Sequence, residues 1–259
     1  MKKINLATFD RIVSYGCSFT VGEEAIDHEL LDMTFDECNR AKKLFKTQHD
    51  FMMDARYGPR INSNTPAIKH ASWSNQLADR LGKKCVNLAI GGTSLDHHFY
   101  QILDGLTTGF LTNRDLIILG ITSPQRLLFI KDNGVPESKL LHSPDHWRDV
   151  LTHQYIVDKF NSNTLHFFFY KTLHHLAMVS PNIVFQTTMF GSDPCQPSES
   201  PGNKNLYRTL NHMWDITVNR TLLPSEDLSV SESEQCRFGH SPKEAHTRLA
   251  ESLKGCFYE

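Results

Sequence analysis

Apolar and polar positions along this chain follow two rhythms, and the rhythm switches from segment to segment. Arg11-Ile-Val-Ser-Tyr-Gly16 is short, mostly apolar and closed by a glycine, which predicts a buried strand. Cys17-Ser-Phe-Thr-Val-Gly22 then reads as a turn leading into a helix. From Ser72 to Leu81 the period is helical: Trp73, Leu77 and Leu81 lie on one stripe, Ser72 takes the N-cap position and Gly82 the stop. Lys84–Ile90 predicts a second strand, Gly91-Gly-Thr-Ser94 a turn, and Leu95 to Leu106 a helix. Asp115-Leu-Ile-Ile-Leu-Gly120 is apolar almost throughout, as a central parallel strand covered on both faces must be. Lys131–Asp149 is rich in loop residues, Val150–Val179 predicts one or two aromatic-rich helices, and Asn182–Met189 a fourth strand. A Pro/Ser/Gly-rich loop, Gly191–Asn203, is followed by a helical stretch, Asn205–Asn219, and a polar one, Leu222–Arg237. The last helix starts at Ser241, with Pro242 in its first turn and Glu244 completing a capping box.

Strands that alternate with helices predict an α/β domain with a mostly parallel sheet, and strands so apolar must be covered on both faces, which makes three layers. The expected sheet contains strands near 11–15, 85–90, 115–120 and 182–189 in a single domain over residues 1–259. Residues 23–70 break the pattern with mixed charge clusters, Met33, Met52 and Met53, and a turn signal at Tyr57–Pro66, so they read as an insertion over one end of the domain. Within it Thr34–Phe51 has helical phase. Composition changes this picture little: 39% hydrophobic and 22% charged residues are ordinary for a globular chain. A net charge of −2 gives no electrostatic reason to expect nucleic acid or an anionic membrane. No apolar run reaches the ~18 residues of a membrane span. The N-terminal residues carry lysines without an apolar core segment, so no signal peptide is expected. The six cysteines are scattered without a CxxC pair and read as reduced thiols of a cytoplasmic or virion-associated protein.

Ligands of open parallel sheets bind beyond the carboxyl ends of the strands, so the turns after the strands are where chemistry is sought. Three of them place small polar residues beside glycine: Gly16-Cys-Ser-Phe-Thr20, Gly91-Gly-Thr-Ser94 and Gly120-Ile-Thr-Ser-Pro124. A fourth, Phe238-Gly-His-Ser-Pro242, stands just before the last helix. In this order the set resembles the SGNH hydrolases, also called the GDSL esterase/lipase family. Gly16-Cys-Ser-Phe-Thr-Val-Gly22 is similar to the family's Gly-Asp-Ser-Leu/Phe-Thr-x-Gly block, and Asn87-Leu-Ala-Ile-Gly-Gly92 to its Asn-x-Gly-x-x-Gly block. Gly120-Ile-Thr-Ser123 stands where the family has Gly-x-Asn-Asp. Arg237-Phe-Gly-His240-Ser-Pro stands where it has Asp-x-x-His-Pro. The resemblance runs from Arg11 to Leu253.

The resemblance implies a three-layer sandwich with a flavodoxin-like sheet and a serine hydrolase that cleaves short-chain acyl esters of a small molecule or carbohydrate, without cofactor or metal. It makes Ser18 the nucleophile and His240 the base, and His246 a structural residue of the last helix. The backbone N–H groups of Ser18 and Gly92, with the Thr122 hydroxyl, are its oxyanion hole. The chemistry is coherent: a serine hydroxyl is a weak nucleophile until a base removes its proton, and oriented donors hold the charge that develops on the carbonyl oxygen. A serine at that position also serves simply as a helix N-cap.

Two departures carry weight. Arg237 stands where the family has its acid, and an arginine cannot support an imidazolium; the site becomes a Ser–His dyad. Thr122 replaces the oxyanion-hole asparagine, and losing one such donor costs roughly two to three orders of magnitude in rate. These departures favour an alternative, a catalytically silent binding or structural module on the same fold, such as a virion component. Cys17, where the family has aspartate, should point away from Ser18. Arg126 either binds an anionic substrate group or forms a surface salt bridge. His142 and His146, four apart, have zinc-chelating spacing on a helix, but Pro144 opposes that helix.

Overall fold

The computed structural model describes residues 3–22, 70–122, 126–130, 134, 136–140, 162–180, 182–186 and 243–258. In chain order the elements are β1 (Ile4–Asn5), β2 (Arg11–Tyr15), α1 (Ser18–Val21), α2 (Trp73–Arg80), β3 (Lys84–Asn87) and α3 (Leu95–Thr108). They continue as β4 (Asp115–Gly120), β5 (Arg126–Ile130), β6 (Pro136–Leu140), α4 (Ser162–Val179), β7 (Ile183–Gln186), α5 (Lys243–Lys254) and β8 (Phe257–Tyr258). The expected insertion, 23–69 of it, the helical stretch Asn205–Asn219, the loop Gly191–Asn203, and His142, His146, Arg237, His240 and Ser241 lie outside the described residues.

The main sheet has four parallel strands in the order β3-β2-β4-β7. Counted by their own sequence this is 2-1-3-4, the flavodoxin-like order, whose direction of winding reverses between β2 and β4. The period-two alternation of the strands sorts their side chains into two cores. Ile12, Leu116, Ile118 and Val184 face Trp73 and Leu77 of α2 and Leu249 and Leu253 of α5. Val13, Tyr15, Ile117, Leu119 and Phe185 face Leu95 and Ile102 of α3 and Leu173 and Leu176 of α4. The chain is an α/β protein with helices on both faces of a parallel sheet. No helix among the described residues is long and apolar enough to cross a membrane.

The helix ends follow the sequence. Ser72 caps α2 by accepting the Asn75 N–H, and Ser94 caps α3 by accepting the His97 N–H. β3 pairs formally only to Asn87, but Leu88 N–H donates to the Ser14 carbonyl at 2.8 Å and Ile90 N–H to the Gly16 carbonyl at 2.9 Å, so its partnership with β2 runs on to the turn. The stretch expected as loop after Lys131 contains β6, antiparallel to β5. This hairpin escapes sequence reading because β6 begins on a proline and carries Glu137 and Lys139, a composition suited to an edge ribbon rather than to a buried strand. A second unforeseen pair, β1 with β8, joins Ile4 to Phe257.

The amino edge of the sheet is clamped by charge. Arg11 and Asp115, the first residues of β2 and β4, are in register. Arg11 Nε donates to Asp115 Oδ1 at 2.6 Å and Nη2 to Oδ2 at 3.1 Å, while the Thr112 N–H donates to Oδ2 at 2.8 Å. Arg11 also donates to the Phe110 carbonyl and lies 4.9 Å over the Phe110 ring. Burial pushes the Asp115 carboxyl up, but the Arg11 guanidinium and the Thr112 donors outweigh it and hold it below the usual carboxylate range. A carboxyl depressed on folding stabilises above its unfolded value and loses that contribution as pH falls through the folded one. Asp115→Asn is therefore expected to destabilise the protein by about 2 kcal/mol at pH 7, as loss of charge-assisted hydrogen bonds does. In denaturant titrations the gap between wild type and variant should close as the pH drops below about 4, the unfolded carboxyl value.

A steric slot ties β2 to β4 at the other edge. A Cβ on Gly120 would stand 2.1 Å from Thr20 Oγ1, and one on Gly16, whose φ is +151°, 2.2 Å from it. Thr20 Oγ1 is buried without a hydrogen-bond partner among the described residues, so there it fills space. Gly120→Ala is expected to cost about 1–3 kcal/mol, the usual range for overpacking. Thr20→Ala in the same chain should recover most of it, since the Gly120 Cβ would then meet Thr20 Cβ at 3.4 Å and the Tyr15 carbonyl oxygen at 3.6 Å, both ordinary contacts. A double-mutant cycle on melting temperature checks this; additive losses would dismiss the slot.

Candidate active site

The carboxyl ends of β2, β3 and β4 are adjacent in the sheet, and each is followed by one of the glycine-bearing turns. Ser18 opens α1 two residues past Gly16, Gly92 lies in the turn after β3, and Thr122 lies just beyond β4. The fold thus brings the three segments together where the winding of the sheet reverses, the place where open α/β sheets bind ligands. Gly92 has φ +77°, a left-handed conformation that favours glycine, is exposed, and its N–H donates to no acceptor among the described residues.

One buried residue joins the three ends. The Thr93 hydroxyl lies 2.7 Å from the Ile90 carbonyl, 3.4 Å from the Gly16 carbonyl and 2.9 Å from His98 Nε2. The Thr93 carbonyl accepts the Thr122 hydroxyl at 2.9 Å. Thr122 is 0% exposed, so its proton is directed into the protein and onto the Gly92 turn. On the far side His98 Nδ1 faces Gln101 Oε1 at 3.2 Å, and its ring meets Tyr15 edge-on. Burial pushes the His98 pKa down to about 3, so the imidazole is neutral.

A second chain of contacts links the Ser18 turn to the last helix. Asn87 Nδ2 donates to the Thr20 carbonyl at 3.2 Å and to Ser72 Oγ at 3.4 Å, and its Oδ1 accepts the Ala89 N–H. Trp73 N–H donates to Nδ1 of the fully buried His246 at 3.2 Å. The first turn of α2 therefore lies beside the Ser18 turn and the first turn of α5 lies against α2, and His240 precedes the first residue of α5 by three positions in the sequence. Cys17 is 1% exposed, which closes it to substrate. Among the described residues no group of His, Cys, Asp and Glu could hold a metal ion.

The β5–β6 hairpin completes the rim. Ser94 N–H donates to Ser138 Oγ at 2.9 Å, and the Ser138 hydroxyl lies 3.1 Å from Ser94 Oγ. Ser138 pairs with Leu128, two residues along β5 from Arg126. This anchorage brings Arg126 Nη1 to 3.3 Å from the point where a Cβ on Gly92 would stand. Neither an acid nor a salt bridge meets Arg126 among the described residues. The hairpin and the Thr93–His98 pair are the parts that sequence reading missed; the serine at 138 and the buried histidine carry no pattern of their own.

No family model and no curated protein matches the sequence. Solved structures match it along most of its length. The chain is similar to solved structures of the lipolytic protein G-D-S-L family. LAE5, an alpha/beta hydrolase enzyme from the metagenome of Lake Arreo, is 11% identical with a TM-score of 0.44 over 96% of this chain and 97% of its own. A member of the lipolytic protein G-D-S-L family from Veillonella parvula is 12% identical with a TM-score of 0.43 over 93% of this chain and 94% of its own. The acetyl xylan esterase Est2A from Butyrivibrio proteoclasticus is 13% identical with a TM-score of 0.44 over 95% of this chain, which spans 63% of the esterase.

A neutral buried histidine makes the site acid-sensitive. A histidine depressed on folding contributes stability above its unfolded value near 6.5 and loses it as pH falls toward the folded value. For His98 the window runs from about 6.5 down to about 3. His98→Gln is expected to lower stability at pH 7.5 and to flatten its fall between pH 6.5 and 4, where this one group adds up to about 1.4 kcal/mol per pH unit. Parallel slopes in urea titrations of wild type and variant would show that His98 is not held neutral.

Proposed function

We propose that the chain is a serine hydrolase of short-chain acyl esters, with Ser18 as nucleophile, His240 as base and the N–H groups of Ser18 and Gly92 as oxyanion donors. The observation that carries this reading is the meeting of the Ser18 turn and the exposed Gly92 amide at the reversal point of the sheet. The contacts from Thr20 through Asn87 to Ser72, and from the neighbouring Trp73 to His246 of α5, support His240 as the partner, since His240 precedes α5 by three residues in the sequence.

In this mechanism the Ser18 hydroxyl attacks the ester carbonyl while His240 takes its proton. The carbonyl oxygen becomes an alkoxide between the two backbone donors, and His240 returns the proton to the departing alcohol. Water then releases the acyl group by the same steps. Thr122 acts here by holding the Gly92 turn through Thr93. Arg237 stands where an acid would support the imidazolium, so turnover is low compared with a full triad. That same substitution favours the second reading, a silent binding module with this fold.

The expected outcome is slow hydrolysis of p-nitrophenyl acetate that falls to background in Ser18→Ala and in His240→Ala. The double variant should be no worse than either single one, because each partner is useless alone. Fluorophosphonate labelling of wild type, absent in Ser18→Ala, would exclude the silent module. Equal turnover by wild type and Ser18→Ala, without labelling, would replace the hydrolase reading with it.

A further inference from the structure

Thr122 and Arg126 frame the Gly92 turn with opposite consequences. The Thr122 hydroxyl is committed to the Thr93 carbonyl and offers no proton outward. Arg126 is half-buried at the start of β5, and its Nη1 stands over the exposed Gly92, which has no side chain to intervene. Among the described residues its buried Nε has no hydrogen-bond partner and no carboxylate neutralises it. Buried N–H donors are nearly always satisfied, and a guanidinium is the side chain best fitted to an anionic oxygen. The Ser94–Ser138 anchorage fixes β5 against this turn, so the cation is held in place before any ligand arrives.

We infer that Arg126 is a catalytic residue of this site, supplying the oxyanion donor that Thr122 does not. The inference rests on the Ser18 reading given above. When the Ser18 hydroxyl adds to the carbonyl carbon, the C=O π pair moves onto the oxygen and the hydroxyl proton passes to His240. The resulting alkoxide beside the Gly92 amide meets one N–H and the full charge of Arg126, which keeps all its own protons. On collapse the pair returns to re-form C=O, and the leaving alkoxide takes the proton back from His240. Because the charge exists only after attack, the guanidinium favours the transition state over the bound ester and acts on kcat rather than KM.

The test compares wild type, Arg126→Met and Arg126→Lys on p-nitrophenyl acetate, which is neutral, and on mono-p-nitrophenyl succinate, which carries a carboxylate. Arg126→Met should lower kcat about a hundredfold on both esters, the usual loss for one oxyanion donor, with KM changed by less than about twofold. Arg126→Lys keeps a charge without the planar fork and should fall about tenfold. Melting curves establish that the variants are folded, and Arg126→Gln replaces any that is not. Unchanged Ser18-dependent kcat on the acetate would overturn the inference. So would a rise in KM confined to the succinate, which would make Arg126 a holder of substrate carboxylate. If wild type already matches Ser18→Ala, the underlying reading fails before Arg126 is altered, and this inference falls with it.

Discussion

The carboxyl edge of this sheet is organised by one threonine. Thr93 contacts the end of β2 through the Gly16 carbonyl, its own turn through Ile90, and the residue beyond β4 through Thr122. Apart from the exposed Ile90 these groups are buried, so the contacts to Gly16 and Thr122 act in a low dielectric, where hydrogen bonds are strong and missing ones costly. Remove the hydroxyl and two backbone carbonyls and an imidazole nitrogen lose a neighbour together. Such a node fixes distance rather than chemistry: it sets how far the Gly92 amide stands from the Ser18 turn.

The sheet is thus held at its two edges by different means. At the amino edge Arg11 and Asp115 join β2 to β4 by a two-pronged ion pair, partly open to solvent, with 27% of the Arg11 side chain exposed. At the carboxyl edge the joints are neutral: a threonine slotted between Gly16 and Gly120, a threonine hub, and a histidine that burial keeps uncharged. Among the described residues the cation on the rim of the candidate site is Arg126. Under the hydrolase reading a fixed cation there interacts weakly with a neutral ester and strongly with an alkoxide.

Most of this fold was legible in the sequence because burial writes a period into the strands. Asp115–Gly120 is wholly buried and nearly all apolar, and Trp73, Leu77 and Ser72 announce α2 and its cap. The turns were legible because each ends a strand with glycine beside small polar residues. What escaped were contacts between residues remote in sequence and ordinary in type. Nothing near Ser138 shows that it meets Ser94, forty-four positions away, and nothing near Thr122 shows that its hydroxyl turns inward. The β5–β6 hairpin was hidden because β6 begins on a proline and alternates charged residues, so the apolar run of β5, Leu127–Ile130, has no apolar partner strand in the sequence.

Threonine at 122 has a physical reason in this setting. An asparagine there would carry a carbonyl and an amide on a longer side chain, and a buried amide must satisfy all its donors and its acceptor. Threonine instead offers one donor, which the Thr93 carbonyl takes, and a methyl that suits a fully buried position. Thr122 therefore stiffens the turn beneath Gly92 rather than reaching a ligand. A stiffer turn holds the Gly92 amide in one orientation, and orientation is most of what a backbone donor contributes, since its dipole costs nothing to align when the charge appears. Under the hydrolase reading, donor strength lost at 122 is then recovered from outside the three turns, by the residue that the hairpin lays across Gly92.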